Sequence, residues 1–141
     1  MSSKEIVNNR ERLLVLAACL LITFCMGTVH AFSTLIQNIE MQTNVGRMAS
    51  SLVYSTALIS VTLAVYVGHI LYRKFSPQVL IFFIAILPII GLLISNSESW
   101  IGWIIGYGIF FGFSSGLGYG LSLYIVSSVT ENEKLGFALG L

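Results

Sequence analysis

The sequence predicts an all-α fold embedded in a membrane, with four transmembrane helices and the start of a fifth. Of its 141 residues, 56% are hydrophobic and only 9% are charged, and the mean hydropathy is +0.90. Four long apolar stretches occupy most of the chain, and each is long enough to cross a hydrocarbon core of about 30 Å as a helix. These proportions exclude a disordered chain and leave no room for a soluble domain.

The first transmembrane helix is predicted over residues 13–36, after a polar segment over residues 1–12. A basic start followed by an apolar run is also typical of a secretory signal. This run is longer than a signal core, it lacks a convincing small-x-small cleavage site, and further apolar stretches follow it. We therefore expect an uncleaved first helix, and a partial transmembrane bundle over residues 13–141.

The second half of this helix is the first candidate site. It carries Gly27, Thr28, His30, Ser33 and Thr34, where lipid exposure alone would favour leucine. An ionisable side chain inside a membrane is a functional candidate by default, because charging it in hydrocarbon is costly. His30 is therefore either a partner for a proton or a carboxylate, or a neutral histidine bonded to a neighbouring helix. Ser33 carries the same ambiguity.

The next two helices are predicted over residues 48–72 and 78–95. A short polar connection over residues 37–47 precedes the first of them. The many serines and threonines of the helix over residues 48–72 indicate that it has protein neighbours on several sides. A short basic hairpin, residues 73–77, makes the two helices antiparallel neighbours. The helix over 78–95 is the most apolar, so we expect it to face lipid, with a kink at Pro88.

The fourth helix, predicted over residues 101–128, carries a glycine at every fourth position: Gly108, Gly112, Gly116 and Gly120. In a helix exposed to water each glycine costs about 1 kcal/mol relative to alanine. In lipid, a glycine groove lets another backbone approach closely. This helix is therefore expected inside a bundle. Beside the glycines runs a second four-residue series, which is either a solute-contacting row or bundle packing: Tyr107, Phe111, Ser115 and Tyr119.

The basic residues predict the orientation. Six of the seven lysines and arginines fall on the side of the N-terminus, and only Arg47 falls on the other side. Cytoplasmic loops carry an excess of lysine and arginine. We therefore expect a multi-pass protein of a plasma or bacterial inner membrane with a cytoplasmic N-terminus.

Enzyme chemistry is not predicted. Residues 112–116 match the G-x-S-x-G pattern of serine hydrolases, but that pattern requires a strand-turn-helix context with an acid and a histidine. Here it lies inside a transmembrane helix, and the acids lie outside the helices or at their ends. We predict no cofactor, no metal site and no nucleic-acid partner; the lipid bilayer is the expected surrounding.

Three local patterns together resemble a known family. Residues 27–33 (GTVHAFS) resemble the first-helix signature of major facilitator superfamily transporters of the oxalate/formate antiporter and monocarboxylate porter branch, with His30 where tyrosine is more usual. Residues 112–120 (GFSSGLGYG) are similar to that branch's glycine-rich fourth helix. Residues 134–140 (KLGFALG) resemble the start of its fifth helix, which we expect at about residue 135. The signature loop between the second and third helices is degenerate: Gly68 and Arg73 match it, whereas Tyr72 and Phe75 depart from it.

The resemblance implies that the chain is part of the N-terminal six-helix bundle of a twelve-helix carrier, with a solute site between two bundles. It implies a small organic anion, such as a mono- or dicarboxylate, moved with protons or in exchange for a counter-anion. It also implies that the first and fourth helices line the pathway. We expect the chain to need the C-terminal helices of the parent carrier for transport. Two alternatives stay open, a non-transporting subunit packed against a polytopic partner and a four-helix proton-coupled exporter.

Overall fold

The computed structural model describes residues 9–130 and Gly136. Within these residues every regular element is helical. A 3₁₀ segment follows the first helix and a π segment lies between the last two. The elements are α1 (Asn9–Met26), the 3₁₀ segment (Gly27–Thr34), α2 (Ile36–Thr43), α3 (Arg47–Lys74), α4 (Pro77–Ser95), α5 (Trp100–Trp103), the π segment (Ile104–Phe111) and α6 (Gly112–Val129).

Four stretches are long and apolar enough to cross a membrane. They are span 1 (Leu13–Thr34), span 2 (Arg47–Lys74), span 3 (Pro77–Ser95) and span 4 (Trp100–Ser128). The predicted all-α fold with four membrane-spanning helices is thus confirmed. The start of the fifth helix and residues 1–8 of the N-terminal segment lie outside the described residues, Gly136 excepted.

Span 4 is the centre of the bundle. In its most apolar window 56% of the residues are buried, against 28% or less for the other three spans. It contacts spans 1, 2 and 3. The prediction that the glycine-bearing helix lies inside the bundle agrees with this arrangement.

The glycine series of span 4 faces span 2. A Cβ placed on Gly112 would lie 2.7 Å from the carbonyl oxygen and 2.9 Å from the Cα of Ala57. A Cβ on Gly116 would meet the Val61 carbonyl oxygen, and one on Gly108 would lie 3.1 Å from Thr56 Cβ. Only hydrogen in place of a side chain allows two backbones to approach this closely.

Span 3 packs one face against span 4, and the rest of its surface is the part expected to face lipid. Gly91 and Gly106 lie where the two helices cross, and a Cβ on Gly91 would lie 2.5 Å from the Gly106 carbonyl oxygen. Leu80 and Ile84 are also buried on this face, whereas Leu93 is 71% exposed. Span 3 therefore has a packed face and an outer face, because the small residue at the crossing admits its neighbour.

The helix of span 3 continues through Pro88. Proline has no N–H, so the carbonyl group of Ile84, four residues earlier, loses its helical hydrogen bond. The Ser114 hydroxyl of span 4 donates a hydrogen bond of 2.8 Å to that same carbonyl oxygen. In lipid a freed backbone group needs such a partner, and here a side chain from the neighbouring helix supplies it.

The connection over residues 37–47, predicted as a short polar link, is largely the helix α2. Its Ile39 is fully buried in the core, which holds the helix against the bundle. Asn44 ends it in the left-handed conformation (φ 52°), a common helix terminator. Glu40 then sits at the start of α3, where Arg47 Nε lies 2.6 Å from its Oε1 and the Ser50 hydroxyl donates to the same oxygen. A carboxylate at a helix N-terminus is electrostatically favourable.

Candidate functional site

The candidate site lies where the two irregular segments meet. The 3₁₀ segment ends span 1, and the π segment occupies the first half of span 4. The Tyr107 hydroxyl donates a hydrogen bond of 3.1 Å to the Val29 carbonyl oxygen and so joins them. Departures from α-helical geometry within long helices are frequent at functional sites. We call this region the irregular half of the bundle.

A continuous group of aromatic rings fills the irregular half. Phe32 stacks on Tyr54 of span 2 with ring centroids 5.3 Å apart. It also contacts Tyr107, again at 5.3 Å, with the planes tilted by 44°. Tyr107 in turn stacks on Phe111 at 4.9 Å. Spans 1, 2 and 4 are therefore held together here by offset aromatic contacts of the kind that stabilise protein cores.

His30 lies at the edge of this aromatic group. Its Nδ1 is 3.1 Å from the hydroxyl oxygen of Tyr54. A neutral His30 that carries its proton on Nε2 accepts the Tyr54 proton at Nδ1, whereas a charged His30 donates to the Tyr54 oxygen. The side chain is exposed on the surface of the bundle, so one imidazole edge is bonded to Tyr54 while the ring stays accessible.

The residues predicted to contact a solute separate into two groups. Tyr107 and Ser115 are buried inside the bundle, and Phe111 is half-buried beside Tyr107. His30, Ser33 and Tyr119 are exposed. The structure thus brings Tyr107 and Phe111 together with the segment that carries His30. It does not unite the whole four-residue series of span 4 on one accessible surface.

Two buried hydroxyls on α6 stand out. Ser115 and Ser122 are each 4% exposed, and within the described residues neither Oγ atom has a hydrogen-bond partner. They lie seven residues apart, two helical turns, and therefore on the same face of the helix. A buried hydroxyl without a partner is unfavourable, so the two hydroxyl groups on this face can still form hydrogen bonds.

Phe32 and Tyr54 are the site residues that sequence reasoning missed. Phe32 belongs to the GTVHAFS pattern, and the aromatic character of that pattern could have pointed to it. Tyr54 is 24 residues from His30 in sequence, and no periodicity connects the two. Only the packing of span 2 against span 1 brings Tyr54 to the site.

The residues of the degenerate loop motif have a packing role at the opposite end of span 2. The Tyr72 hydroxyl donates a hydrogen bond of 2.9 Å to the Leu117 carbonyl oxygen. A Cβ on Gly68 would lie 2.7 Å from Tyr72 Cζ, and one on Gly120 would lie 2.5 Å from its hydroxyl oxygen. Two glycines thus make room for this ring, and Arg73 next to it is exposed. We call this region, around Gly68, Tyr72, Leu117 and Gly120, the regular half of the bundle.

Metal ligands do not cluster in the described part of the chain. No group of three or more histidine, cysteine, aspartate or glutamate side chains there could hold a metal ion. Cys19 is buried and Cys25 is exposed, and both are free thiols.

The helices and their packing define a multi-pass α-helical membrane protein whose central helix is packed through glycines. Comparison with protein families identifies it further. The model of the Major Facilitator Superfamily matches residues 2–141. The chain belongs to this superfamily, whose members are transporters rather than enzymes. Neither the curated proteins nor the solved structures gave a significant match.

Proposed function

We propose that the chain contributes the irregular half of its bundle to the solute pathway of a secondary active transporter. The observation that carries this proposal is the junction of the 3₁₀ and π segments through Tyr107 and Val29. Transporters of this kind bind their solutes at helices whose regular geometry is interrupted. Two helices with such interruptions face each other here, and a histidine lies beside them.

The proposed solute is a small organic anion, such as a mono- or dicarboxylate. The resemblance of residues 27–33 and 112–120 to the oxalate/formate and monocarboxylate branch supports this choice. Within residues 13–130, the basic side chains Arg47, Arg73 and Lys74 lie at the ends of their spans. The carboxylate would therefore meet the charged form of His30, or a basic residue of helices beyond this chain.

Transport is proposed to follow alternating access between two bundles, coupled to protons or to a counter-anion. The described helices form one bundle around span 4, and alternating access requires a second bundle that moves against the first. The exposed side chains of His30, Ser33 and Tyr119 are then the ones available to a solute or to that second bundle. We expect a cytoplasmic N-terminus in a plasma or bacterial inner membrane, since six of the seven basic residues lie on its side.

The test is uptake of radiolabelled oxalate, formate and lactate into proteoliposomes that contain the complete carrier. Histidine is the side chain that changes charge between about pH 5 and about pH 8. His30→Gln should lower uptake about tenfold at the acidic end of this range and remove its pH dependence, because one charge-assisted contact of about 1.4 kcal/mol is lost. Tyr54→Phe should lower uptake by less than His30→Gln does, because it removes only the hydroxyl that bonds His30 Nδ1.

His69→Gln is the matched control. His69 is also exposed and on a span, but its Nδ1 bonds the backbone carbonyl oxygen of Tyr66 near the other end of span 2. Its replacement should leave the pH profile unchanged. If His30→Gln also leaves the profile unchanged, the assignment of His30 to the pathway is wrong.

A further inference from the structure

The regular half of the bundle contains an apolar cleft that the proposed solute pathway does not use. The cleft has a volume of about 340 Å³, at the lower end of the range for small-ligand cavities. It opens between the last turns of span 2, the first turns of span 3 and the middle of span 4. Its walls include Leu71, Phe75, Val79, Phe83, Phe113 and Leu117.

The chemistry of the walls excludes a polar occupant. The side chains that line the cleft are leucine, phenylalanine and valine, and apolar cavities of this kind do not hold ordered water. Val79 and Phe83 are 41% and 52% exposed, and Phe82 beside them is 64% exposed. The cleft thus opens onto the outer face of span 3, which in a membrane is the face that lipid chains cover.

Two positive charges lie in the last turn of span 2, next in sequence to residues that line the cleft. Arg73 and Lys74 form the last turn of span 2, between the wall residues Leu71 and Phe75, and both side chains are exposed. Within residues 13–130 the one ion pair joins Arg47 to Glu40, at the other end of span 2. No carboxylate of these residues pairs with Arg73 or Lys74. Basic residues at the mouth of a pocket between transmembrane helices are favourable for anionic lipid headgroups.

We propose that this cleft binds an anionic phospholipid, with one acyl chain between spans 2 and 3 and the phosphate at Arg73 and Lys74. A flexible acyl chain fits the cleft better than another helix, since a helix with its side chains is about 10–12 Å across. The pair of charges selects an anionic over a zwitterionic headgroup. This inference is independent of the solute and of the role of His30.

The experiment uses the full chain in nanodiscs of phosphatidylcholine that contain a small fraction of phosphatidylglycerol. The phosphatidylglycerol carries a photoactivatable diazirine in one acyl chain, and mass spectrometry maps the crosslinked residues. Crosslinks should concentrate on the cleft walls, with Phe83 and Phe113 as the diagnostic pair from two different spans. The same probe with a phosphatidylcholine headgroup should label these residues far less.

Two variants with matched controls separate the charge from the cleft. The double variant Arg73→Gln/Lys74→Gln should lower phosphatidylglycerol labelling of the cleft about 30-fold, because each basic residue near the membrane surface contributes about a factor of five. Arg47→Gln, at the opposite end of span 2, should not. Val79→Trp should fill the cleft and abolish labelling for both headgroups, whereas Leu93→Trp, on the exposed far end of span 3, should leave it intact.

Three results would overturn the proposal. One is equal labelling by the two headgroups in the unmodified chain, which would indicate unselective contact with bulk lipid. Another is unchanged labelling after removal of both charges in a variant whose circular dichroism is unaltered. The third is crosslinking of the cleft walls to a second copy of the chain instead of to lipid.

Discussion

The two halves of the bundle share one close contact between spans 2 and 4 and differ in what packs beside it. The contact runs from Gly108 in the π segment to Gly116 in the regular half, and at its centre a Cβ on Gly112 would lie 2.7 Å from a backbone oxygen of Ala57. In the irregular half, the tilted rings of Phe32 and Tyr107 also fill the space between spans, and Tyr107 donates a hydrogen bond to a backbone carbonyl. The first kind of contact depends on the absence of side chains, and the second on their presence.

This difference has a consequence for movement and binding. A glycine-lined contact has no side-chain rotamers to rearrange, so it keeps two helices at one distance. The irregular half holds a histidine–tyrosine pair and helical segments whose hydrogen bonding departs from the α pattern. In the proposed transporter, the glycine contact would anchor spans 2 and 4, and the irregular half would recognise the solute.

The largest effect is expected when a side chain is added to the glycine contact. Gly112→Ala should lower the free energy of unfolding by about 2–3 kcal/mol, because the neighbouring atoms are backbone and cannot turn away. Gly27→Ala is the control in the irregular half, since nothing lies within 4 Å of a Cβ placed there. Unfolding by sodium dodecyl sulfate titrated into mild detergent micelles measures both. Equal stability of the two variants would show that the close approach of spans 2 and 4 at Gly112 does not stabilise the bundle.

The sequence was sufficient for the fold but not for the neighbours of each helix. Hydropathy predicted four spans, and the spacing of Gly108 and Gly112 predicted a tightly packed fourth helix, because both signals are local along the chain. That these glycines face span 2, and that Gly91 crosses Gly106, depends on how the spans assemble. The helix α2 was not predicted, because one buried residue, Ile39, does not produce a detectable hydrophobic periodicity.

The candidate site was less predictable still. His30 was found because an ionisable group in an apolar run is conspicuous in any sequence. Its partner Tyr54 was not found, because nothing local in span 2 distinguishes Tyr54 from Tyr66. The 3₁₀ and π segments were also missed, since each is a shift of hydrogen-bond pairing that is compatible with an ordinary apolar helical pattern.

An intermediate effect is expected at the contact between spans 3 and 4. Ser114→Ala should lower the free energy of unfolding by about 1–1.5 kcal/mol, because it leaves the buried Ile84 carbonyl without a donor. In a Pro88→Ala background the new amide of residue 88 can bond that carbonyl, so the cost of Ser114→Ala should fall to less than half.

The matched control for this cycle is Ser127→Ala. Ser127 is exposed and bonds the Tyr124 carbonyl oxygen of its own helix, so its replacement should cost the same with or without Pro88. Additive costs for Ser114→Ala and Pro88→Ala would show that the serine does not compensate for the proline.

The smallest effect is expected at the end of the regular half, where a side-chain hydrogen bond supplements the glycine contact. Tyr72→Phe keeps the ring between Gly68 and Gly120 and removes only the donor to the Leu117 carbonyl oxygen. Helical geometry already pairs that carbonyl with the Leu121 amide, so the loss in unfolding free energy should be about 0.6 kcal/mol, the average for hydrogen bonds between membrane helices. Tyr66→Phe, at a side chain that is 72% exposed, should cost nothing measurable. A loss for Tyr72→Phe as large as that for Gly112→Ala would mean that the hydroxyl, rather than the close backbone approach, holds spans 2 and 4 together.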